Sequence, residues 1–326
     1  MIGFPKKAVH GGRIQEIRRL CSKDILDVSA SLNPYTPAVD CTFSMDDLGN
    51  YPDDSYVCLK EKIGSVFHRN PAEICVGNGS VELIRTYCAV IGGTTCRIDM
   101  PTFGEYGLAA QLAEKQIVSN TKADIRILCN PNNPTGILLR RDEILRILES
   151  ETQLFVDEAF MMLARKNESV ADRRDDNLFV LRSLTKSFSV PGIRFGFGFG
   201  PEDLIEKIET ARAPWSVNSF AEKYAIAALD HLAELEQARE KITLERERMM
   251  RKLSDIALSW YPSEVNYLTI RLPEKAADVA ERLLKKGILV RDCTSFGLDT
   301  CIRIAVMTKE IDDRVLDALA DVIRKE

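Results

Sequence analysis

Histidine and tryptophan are scarce in this sequence, and closely paired cysteines are missing from it. The chain of 326 residues has three histidines, two tryptophans and nine cysteines, none of which forms a C-x-x-C pair. His10, His68 and His231 lie far apart in the sequence, so we expect no metal centre. Because the cysteine count is odd and the spacing irregular, we predict reduced thiols that act as small core residues. The cysteines are Cys21, Cys41, Cys58, Cys75, Cys88, Cys96, Cys129, Cys293 and Cys301.

Long apolar segments and a strong excess of one charge are also absent. No run of about 18 apolar residues occurs, and the formal net charge is −5. The first residues, Met1 to Lys7, lack the apolar core of a secretory signal. We therefore expect a cytoplasmic protein with neither a membrane nor a nucleic-acid partner. Its length and its 45% content of hydrophobic residues are typical of a globular chain of about two domains.

Short apolar strands alternate with helices between residues 74 and 200. This alternation predicts an α/β fold with a largely parallel sheet that is covered by helices on both faces. The C-terminal part of the chain changes to a pattern typical of an α+β module. We predict a large domain of residues 41–218 and a small α+β domain built from residues 1–40 and 219–326.

The segment from Ser183 to Arg194 contains the main candidate for chemistry. Lys186 follows an apolar strand, where burial and neighbouring cations disfavour its protonated form and leave a neutral amine. Ser183 and Arg194 flank this lysine and could bind one phosphate together. An amine that can form an imine, beside a phosphate site, suits pyridoxal 5'-phosphate (PLP).

Two other interpretations of Lys186 stand beside this one. A lone lysine near the end of a strand is usually solvated rather than catalytic. The spacing of Ser183 and Lys186 also matches the S-x-x-K signature of serine β-lactamases, but the S-D-N and K-T-G tripeptides of that class do not occur. Further parts of a cofactor site elsewhere in the chain therefore decide between these interpretations.

Polar or aromatic residues follow several other predicted strands, and doubly wound sheets bind ligands at such strand ends. Gly79-Ser80-Val81 begin a helix whose free N–H groups favour an anion, while Glu82 disfavours the glycine pattern of a dinucleotide site. Phe103 is a candidate to stack on a planar ring, although packing in the core is the usual role of such a residue, and Asn133 lies in a rigid polar loop. Asp157 ends an apolar strand, so its carboxylate needs a cationic partner such as a pyridinium N–H.

Taken in order, these segments resemble the fold-type I PLP enzymes of aminotransferase class I/II over nearly the whole chain. The resemblance implies a mostly parallel seven-stranded sheet in the large, PLP-binding domain. It makes Lys186 the Schiff-base lysine, Asp157 the partner of the pyridine nitrogen and Asn133 a contact of the ring oxygen. It also places Phe103 on the ring face. The cofactor phosphate is then expected at Gly79, Ser80, Val81, Ser183 and Arg194.

The same resemblance implies a substrate site and a homodimer. Arg303 corresponds to the arginine that binds the substrate α-carboxylate, and Arg291 to a second substrate arginine. Asn33 and His10 are further candidate substrate-binding residues, although two glycines beside His10 are also typical of a plain turn. Tyr51 is expected to reach the cofactor phosphate of the neighbouring subunit.

Two activities of this family compete for the chain. The segments His10-Gly11-Gly12, Leu181 to Lys186 and Pro214 to Asn218 are most similar to L-threonine-O-3-phosphate decarboxylase of cobalamin biosynthesis. Phe160 also stands where the aminotransferases usually have a tyrosine. We therefore expect PLP-dependent decarboxylation of L-threonine O-3-phosphate to (R)-1-amino-2-propanol phosphate. The alternative is histidinol-phosphate aminotransferase, which transfers an amino group to 2-oxoglutarate in histidine biosynthesis.

Overall fold

The structure, a computed structural model, describes residues 4–20, 24–119 and 121–323. The N-terminal part contains α1 (Ile14–Leu20), β1 (Leu26–Asp27) and α2 (Val57–Phe67). The central part contains β2 (Ile74–Gly77), α3 (Ser80–Val90), β3 (Thr95–Ile98), α4 (Gly104–Leu112), β4 (Gln116–Val118), β5 (Ile125–Cys129), α5 (Arg141–Ser150), β6 (Leu154–Asp157), β7 (Leu178–Ser183), β8 (Gly196–Phe199) and α6 (Glu202–Ala211). The C-terminal part contains α7 (Ser219–Ala228), α8 (Leu235–Asp255), β9 (Ser259–Trp260), β10 (Tyr267–Arg271), α9 (Ala276–Lys285), β11 (Ile288–Leu289), β12 (Arg291–Asp292), β13 (Cys301–Ala305) and α10 (Lys309–Ile323).

A seven-stranded sheet forms the centre of the molecule, in the order β2-β8-β7-β6-β5-β3-β4. The pairs β7–β6, β6–β5, β5–β3 and β3–β4 are parallel, whereas β8 runs antiparallel to both β2 and β7. The predicted α/β fold with a mostly parallel sheet is therefore confirmed. The edge strand β4 was not expected from the sequence, because its three residues are mostly exposed and too few to show a pattern.

The central strands are apolar on both faces because helices cover both sides of the sheet. On β7, Val180 packs in the core beside α2, α5 and α7, while Phe179 and Leu181 point to the opposite core beside α3, α4 and α6. The glycines of β8 allow close packing: a Cβ on Gly198 would lie 2.3 Å from the ring of Phe179. This close packing on both faces defines the positions of the strand ends.

A second core lies around a four-stranded sheet of order β12-β13-β10-β9. The N-terminal segment joins it, because β1 pairs in parallel with β11 and Val28 packs in this core. The predicted limits, residues 41–218 against 1–40 and 219–326, stay a prediction. The packing of Ala221, Ala225 and Leu235 in the core of the large sheet favours a boundary that lies later than residue 218.

The cysteines that the structure describes are free thiols, and six of the eight are buried. Cys41 is half-buried and Cys58 is exposed, so these two are not core residues. Cys21, which we also predicted as a reduced thiol, lies outside the described residues. Among the described helices, none combines the length and the apolar character needed to cross a membrane.

Candidate active site

The carboxyl ends of the parallel strands open into a cavity of about 430 Å³ between the large sheet and the small one. Most of the residues predicted from the sequence line it. They are His10, Ser80, Val81, Phe103, Asn133, Asp157, Ser183, Lys186, Arg194, Arg291 and Arg303. The strand ends β6 and β7 supply Asp157 and Ser183, so the two-sided sheet brings together side chains that are distant in sequence.

Lys186 is half-buried at the wall of the cavity, and its Nζ donates a hydrogen bond to the carbonyl oxygen of Ala30 at 2.9 Å. Burial, together with the positive charges of Arg303 and Arg194, lowers the pKa of Lys186 from its ordinary value to about 8. Asp27 acts in the opposite direction but does not cancel these effects. A substantial fraction of the lysine is therefore a neutral amine at neutral to mildly alkaline pH, as a nucleophile requires.

This pKa predicts how the apoprotein takes up PLP. The neutral fraction of Lys186 increases as the pH rises through about 8, so the rate of covalent uptake should rise with pH and then level off. In Arg303→Ala the midpoint should move to higher pH, because the variant lacks a charge that lowers the pKa of the lysine. Stopped-flow absorbance of apoprotein mixed with PLP measures this profile. If the rate of PLP uptake did not change between about pH 6 and 10 while the protein stayed folded, the role of Lys186 would be contradicted.

Asp157 is 4% exposed and ends β6 without a salt-bridge partner in the described part of the chain. Its Oδ2 accepts a hydrogen bond from the hydroxyl of Tyr106 at 2.7 Å, and its Oδ1 accepts one from the backbone N–H of Ala159 at 2.8 Å. Burial raises the pKa of Asp157 to about 6. A buried carboxylate that faces a cavity in this way is suited to a cationic group of a ligand.

The start of α3 and the loop before β8 form a cradle for an anion. Gly79, the residue before the helix, has φ +77°, and a Cβ at this position would lie 2.3 Å from Nη2 of Arg194. The positive φ favours glycine at this position, and the missing side chain leaves room for the guanidinium beside the backbone. The helix N-terminus at Ser80, the hydroxyl of Ser183 and the cation of Arg194 are the groups that bind phosphates in proteins.

Two arginines occupy the other side of the cavity on adjacent strands. Arg291 and Arg303 are directly opposite each other in the antiparallel pair β12–β13. Arg303 is 5% exposed, contacts Asn133 through Nη1 and donates from Nη2 to the carbonyl oxygen of Ser29 at 3.2 Å. Arg291 donates to the carbonyl oxygen of Val9 at 2.8 Å and lies over the ring of Phe296. Neither arginine forms a salt bridge with a described residue, so both remain available to an anionic ligand.

Three of the predicted site residues do not line this cavity. Gly79 lies behind Arg194, as described above. Asn33 is buried behind the Lys186 loop, where its Nδ2 donates to the carbonyl oxygen of Ser187 at 2.8 Å. Its backbone N–H donates to the carbonyl oxygen of Lys186 at 3.0 Å. The structure thus gives Asn33 contacts that support the lysine, whereas its predicted contact with substrate stays untested. Tyr51 is 77% exposed on the surface.

Sequence reasoning missed several residues that complete the site. Tyr106, fully buried in the first turn of α4, donates to Asp157, and Ala30 supplies the carbonyl group that holds Lys186. Tyr267 lies beneath Arg303, with the guanidinium carbon 5.0 Å from the ring centroid, and donates to the carbonyl oxygen of Asn132 at 2.8 Å. Tyr106 follows Phe103 by three residues, so helical spacing was a signal that could have found it.

The aromatic residues near the predicted cofactor position are also in place. Phe103 lines the cavity, with its ring centroid 5.6 Å from that of His10 and 5.5 Å from that of Tyr106. Phe160 lines it too, and its ring centroid lies 5.9 Å from Nζ of Lys186. Phe160 has no hydroxyl group, so it offers the cavity an apolar surface where a tyrosine would offer a hydrogen-bond donor.

Comparison with known proteins identifies the family. The profile of the family Aminotransferase class I and II matches residues 37–319. The histidinol-phosphate aminotransferase of Geobacillus sp. (strain WCH70) is 31% identical over 347 residues, which cover 97% of this chain and 95% of the relative. A protein of Caldanaerobacter subterraneus subsp. tengcongensis, provisionally named threonine-phosphate decarboxylase, is 35% identical over 304 residues, which cover 84% of this chain and 83% of that protein. This chain belongs to the aminotransferase class I/II family.

A solved structure has the same fold over nearly the whole chain. The histidinol-phosphate aminotransferase of Clostridium acetobutylicum superposes with a TM-score of 0.84 at 27% sequence identity, and the match covers 93% of this chain and 100% of the other. The chain is thus a PLP-dependent enzyme of the fold-type I class, and its cofactor is pyridoxal 5'-phosphate.

The geometry of the cavity fits this cofactor. A lysine of lowered pKa faces the cavity, a buried carboxylate lacks a cation, and a glycine-lined helix start lies against an arginine. Lys186 would bond the cofactor aldehyde, Asp157 would pair with the ring nitrogen, and Ser80, Ser183 and Arg194 would hold the phosphate. When bound, PLP supplies an electron-withdrawing ring that stabilises negative charge at the Cα of an amino substrate. By staying ionised next to the ring nitrogen, Asp157 would keep that nitrogen protonated.

Proposed function

We propose that this enzyme acts on a phosphorylated amino compound. The observation that carries the proposal is the pair Arg291 and Arg303, two cavity-lining arginines on adjacent strands without carboxylate partners among the described residues. Leaving two such cations in a largely buried site is unfavourable unless a ligand supplies negative charge. The cofactor phosphate is accounted for on the other side of the cavity by Arg194 and the start of α3. The two remaining arginines therefore favour a substrate that has an anionic group of its own.

Transamination of histidinol phosphate, with 2-oxoglutarate as the amino acceptor, is the first candidate reaction. The named relatives support it more broadly than they support the decarboxylation that we preferred from the sequence, because most of those compared are histidinol-phosphate aminotransferases. In this reaction Arg303 would hold the carboxylate of glutamate or 2-oxoglutarate through its two guanidinium nitrogens. Arg291 would bind the other anionic group, which is the phosphate of histidinol phosphate or the side-chain carboxylate of glutamate. Lys186, once released from the cofactor, would move the proton at Cα as a general base and acid.

Decarboxylation of L-threonine O-3-phosphate is a second candidate, and two observations favour it. Phe160 lines the cavity in place of the usual tyrosine, and the relative provisionally named threonine-phosphate decarboxylase has 35% identity. In this reaction Arg303 and Arg291 would bind the carboxylate and the phosphate of one small substrate. The bond at Cα that breaks would then be the one to the carboxylate rather than the one to hydrogen.

A parallel assay distinguishes the two reactions. PLP-loaded protein is incubated with histidinol phosphate and 2-oxoglutarate in one vessel and with O-phospho-L-threonine alone in another. The first candidate predicts glutamate in the first vessel and no carbon dioxide in the second. Carbon dioxide without glutamate would reverse the order of the candidates. If protein that holds its cofactor formed no product in either vessel, the proposed substrate class would be contradicted.

We further propose that the enzyme acts as a homodimer in which Tyr51 reaches the neighbouring site. Tyr51 does not line the cavity of its own chain, and its exposed ring stacks on that of Trp215 at a centroid distance of 4.3 Å. The nearby side chains of Phe43, Met45 and Leu48 are also exposed and apolar, as expected for a surface covered by a second copy. Sedimentation of the PLP-loaded protein as a monomer would contradict this arrangement.

A further inference from the structure

We propose that Glu105 is a positioning residue, which holds His10 at the edge of the cavity so that the histidine ring binds the phosphate of the substrate. This inference rests on the proposed substrate class. The bond that carries it joins Nε2 of His10 to Oε1 of Glu105 at 2.8 Å. His10 lines the cavity, whereas Glu105 lies behind it in the first turn of α4.

The carboxylate of Glu105 is almost completely buried, at 3% exposed, and side chains rather than described backbone N–H groups hold it. Its described partners are His10 and Arg85, whose Nη2 donates to Oε2 at 3.0 Å. The start of a helix favours a negative charge, so α4 helps to retain the carboxylate in this position. Arg85 is half exposed and lies away from the cavity lining. The connection of Glu105 to the site therefore runs through His10.

The segment that contains His10 is attached to both sides of the cavity. The carbonyl oxygen of Val9 accepts from Arg291, and the backbone N–H of Gly12 donates to Oγ of Ser29 at 2.8 Å. Gly11 packs so closely that a Cβ there would lie 2.6 Å from the carbonyl oxygen of Ser29. The bond to Glu105 attaches the segment to α4, on the side of the large sheet. His10 and Arg291 are thereby held next to each other along one wall.

The ring chemistry of His10 explains what this arrangement can do. Phe103 lies beside the ring, at a centroid distance of 5.6 Å, and Nε2 is engaged by Glu105. The other nitrogen, Nδ1, has no partner among the described residues. In the doubly protonated ring both nitrogens are donors, so one N–H binds the carboxylate and the other is left for a phosphate oxygen. Arg291, whose Nη2 donates to the carbonyl oxygen of the preceding residue Val9, adds a cation nearby for the same phosphate.

Binding measurements on PLP-loaded protein test the proposal. The absorbance change of the cofactor is titrated with histidinol phosphate and O-phospho-L-threonine, and with histidinol and L-threonine as counterparts that lack the phosphate. Glu105→Ala should weaken binding of the phosphorylated compound that is the substrate by about tenfold or more, as for the loss of a hydrogen bond to a charged group. Binding of its counterpart should change less than about twofold. KM should rise, with kcat nearly unchanged.

Two control variants separate positioning from general damage. Arg85→Ala removes the other partner of Glu105 but leaves the bond to His10, so phosphate selectivity should persist. The double variant His10→Ala with Glu105→Ala should lose no more affinity than His10→Ala alone, because one interaction acts through the other. The proposal would be overturned if the losses of affinity in the two single variants added up in the double variant. It would also be overturned if Glu105→Ala weakened binding of the phosphorylated compound and of its counterpart without phosphate equally.

A spectroscopic readout makes the test independent of turnover. The sequence has only three histidines, so selective ¹⁵N labelling with His68→Gln and His231→Gln for assignment isolates the signals of His10. A protonated, slowly exchanging Nε2 is expected in the wild type and in Arg85→Ala, and its loss is expected in Glu105→Ala. Inorganic phosphate should shift the Nδ1 signal of the wild type. An unchanged His10 spectrum in Glu105→Ala would refute the role of Glu105 as a positioning residue. If the parallel turnover assay gave no product while the His10 spectrum changed as expected, only the proposed function would be refuted.

Discussion

Replacing Lys186 by alanine is expected to lower kcat by roughly 10²–10⁴-fold or more, because the change removes a group that moves a proton in the transition state. The variant should also lose the visible absorption band of covalently held PLP while it still binds the cofactor through the phosphate cradle. Absorbance spectra before and after gel filtration, together with kcat for the active substrate, measure both effects. Partial recovery of the rate by an added small amine would show that the missing amine is the cause.

Lys115 offers a matched control for this variant. It is also buried, at 8% exposed, and its Nζ donates to the carbonyl oxygens of Ile91 and Gly93. Lys115→Ala removes a buried, hydrogen-bonded lysine that does not line the cavity, so it should reduce stability without abolishing the absorption band. If Lys115→Ala removed the band and Lys186→Ala retained it, the assignment of the reactive lysine would be wrong.

Replacing Arg303 by alanine is expected to raise KM and to reduce kcat/KM by about 30-fold or more. Removing one partner of a buried charge pair costs on the order of 2–5 kcal/mol, and each 1.36 kcal/mol is about tenfold in rate. Arg303 contacts Asn133, so the variant should also disturb the side chain that is expected at the ring oxygen. Steady-state kinetics over a range of substrate concentrations separate the two constants.

Arg303→Lys and Arg271→Ala are the comparisons for this measurement. Lysine keeps the charge but cannot bind a carboxylate with two parallel N–H groups, so Arg303→Lys should recover only part of the loss. Arg271 lies on the neighbouring strand β10, is exposed, and stacks on Tyr261 with its guanidinium carbon 4.1 Å from the ring centroid. Arg271→Ala should leave KM nearly unchanged. Wild-type kcat/KM in Arg303→Ala would rule out a carboxylate contact.

The central sheet and its ligand-binding edge were predictable because each signal is local. Apolar strands followed by polar residues mark Asp157 and Ser183, and parallel strands necessarily bring their carboxyl ends to one edge. Lys186 was recognisable from its place after β7, and the cofactor follows from the combination of these residues. The burial that lowers the pKa of Lys186 is a direct result of that placement.

Other features depend on long-range packing that no local pattern contains. The register of β12 against β13 places Arg291 opposite Arg303, and only the folded sheet shows it. The substrate contact predicted for Asn33 stays a prediction, and the bond from its Nδ2 to the carbonyl oxygen of Ser187 joins residues that are distant in the sequence. No local pattern in the sequence distinguishes Glu105, which the structure places beside His10. The particular reaction also depends on orientation at Cα, which the residue types leave open.

The most direct test of the account is to locate the lysine that holds PLP. Borohydride treatment of the PLP-loaded protein makes the bond between lysine and cofactor permanent, and digestion followed by mass spectrometry then identifies the labelled residue. We predict a pyridoxyl phosphate group on Lys186, with labelling lost in Lys186→Ala and retained in Lys115→Ala. A label on another lysine, or no label on protein that has been saturated with PLP, would contradict it.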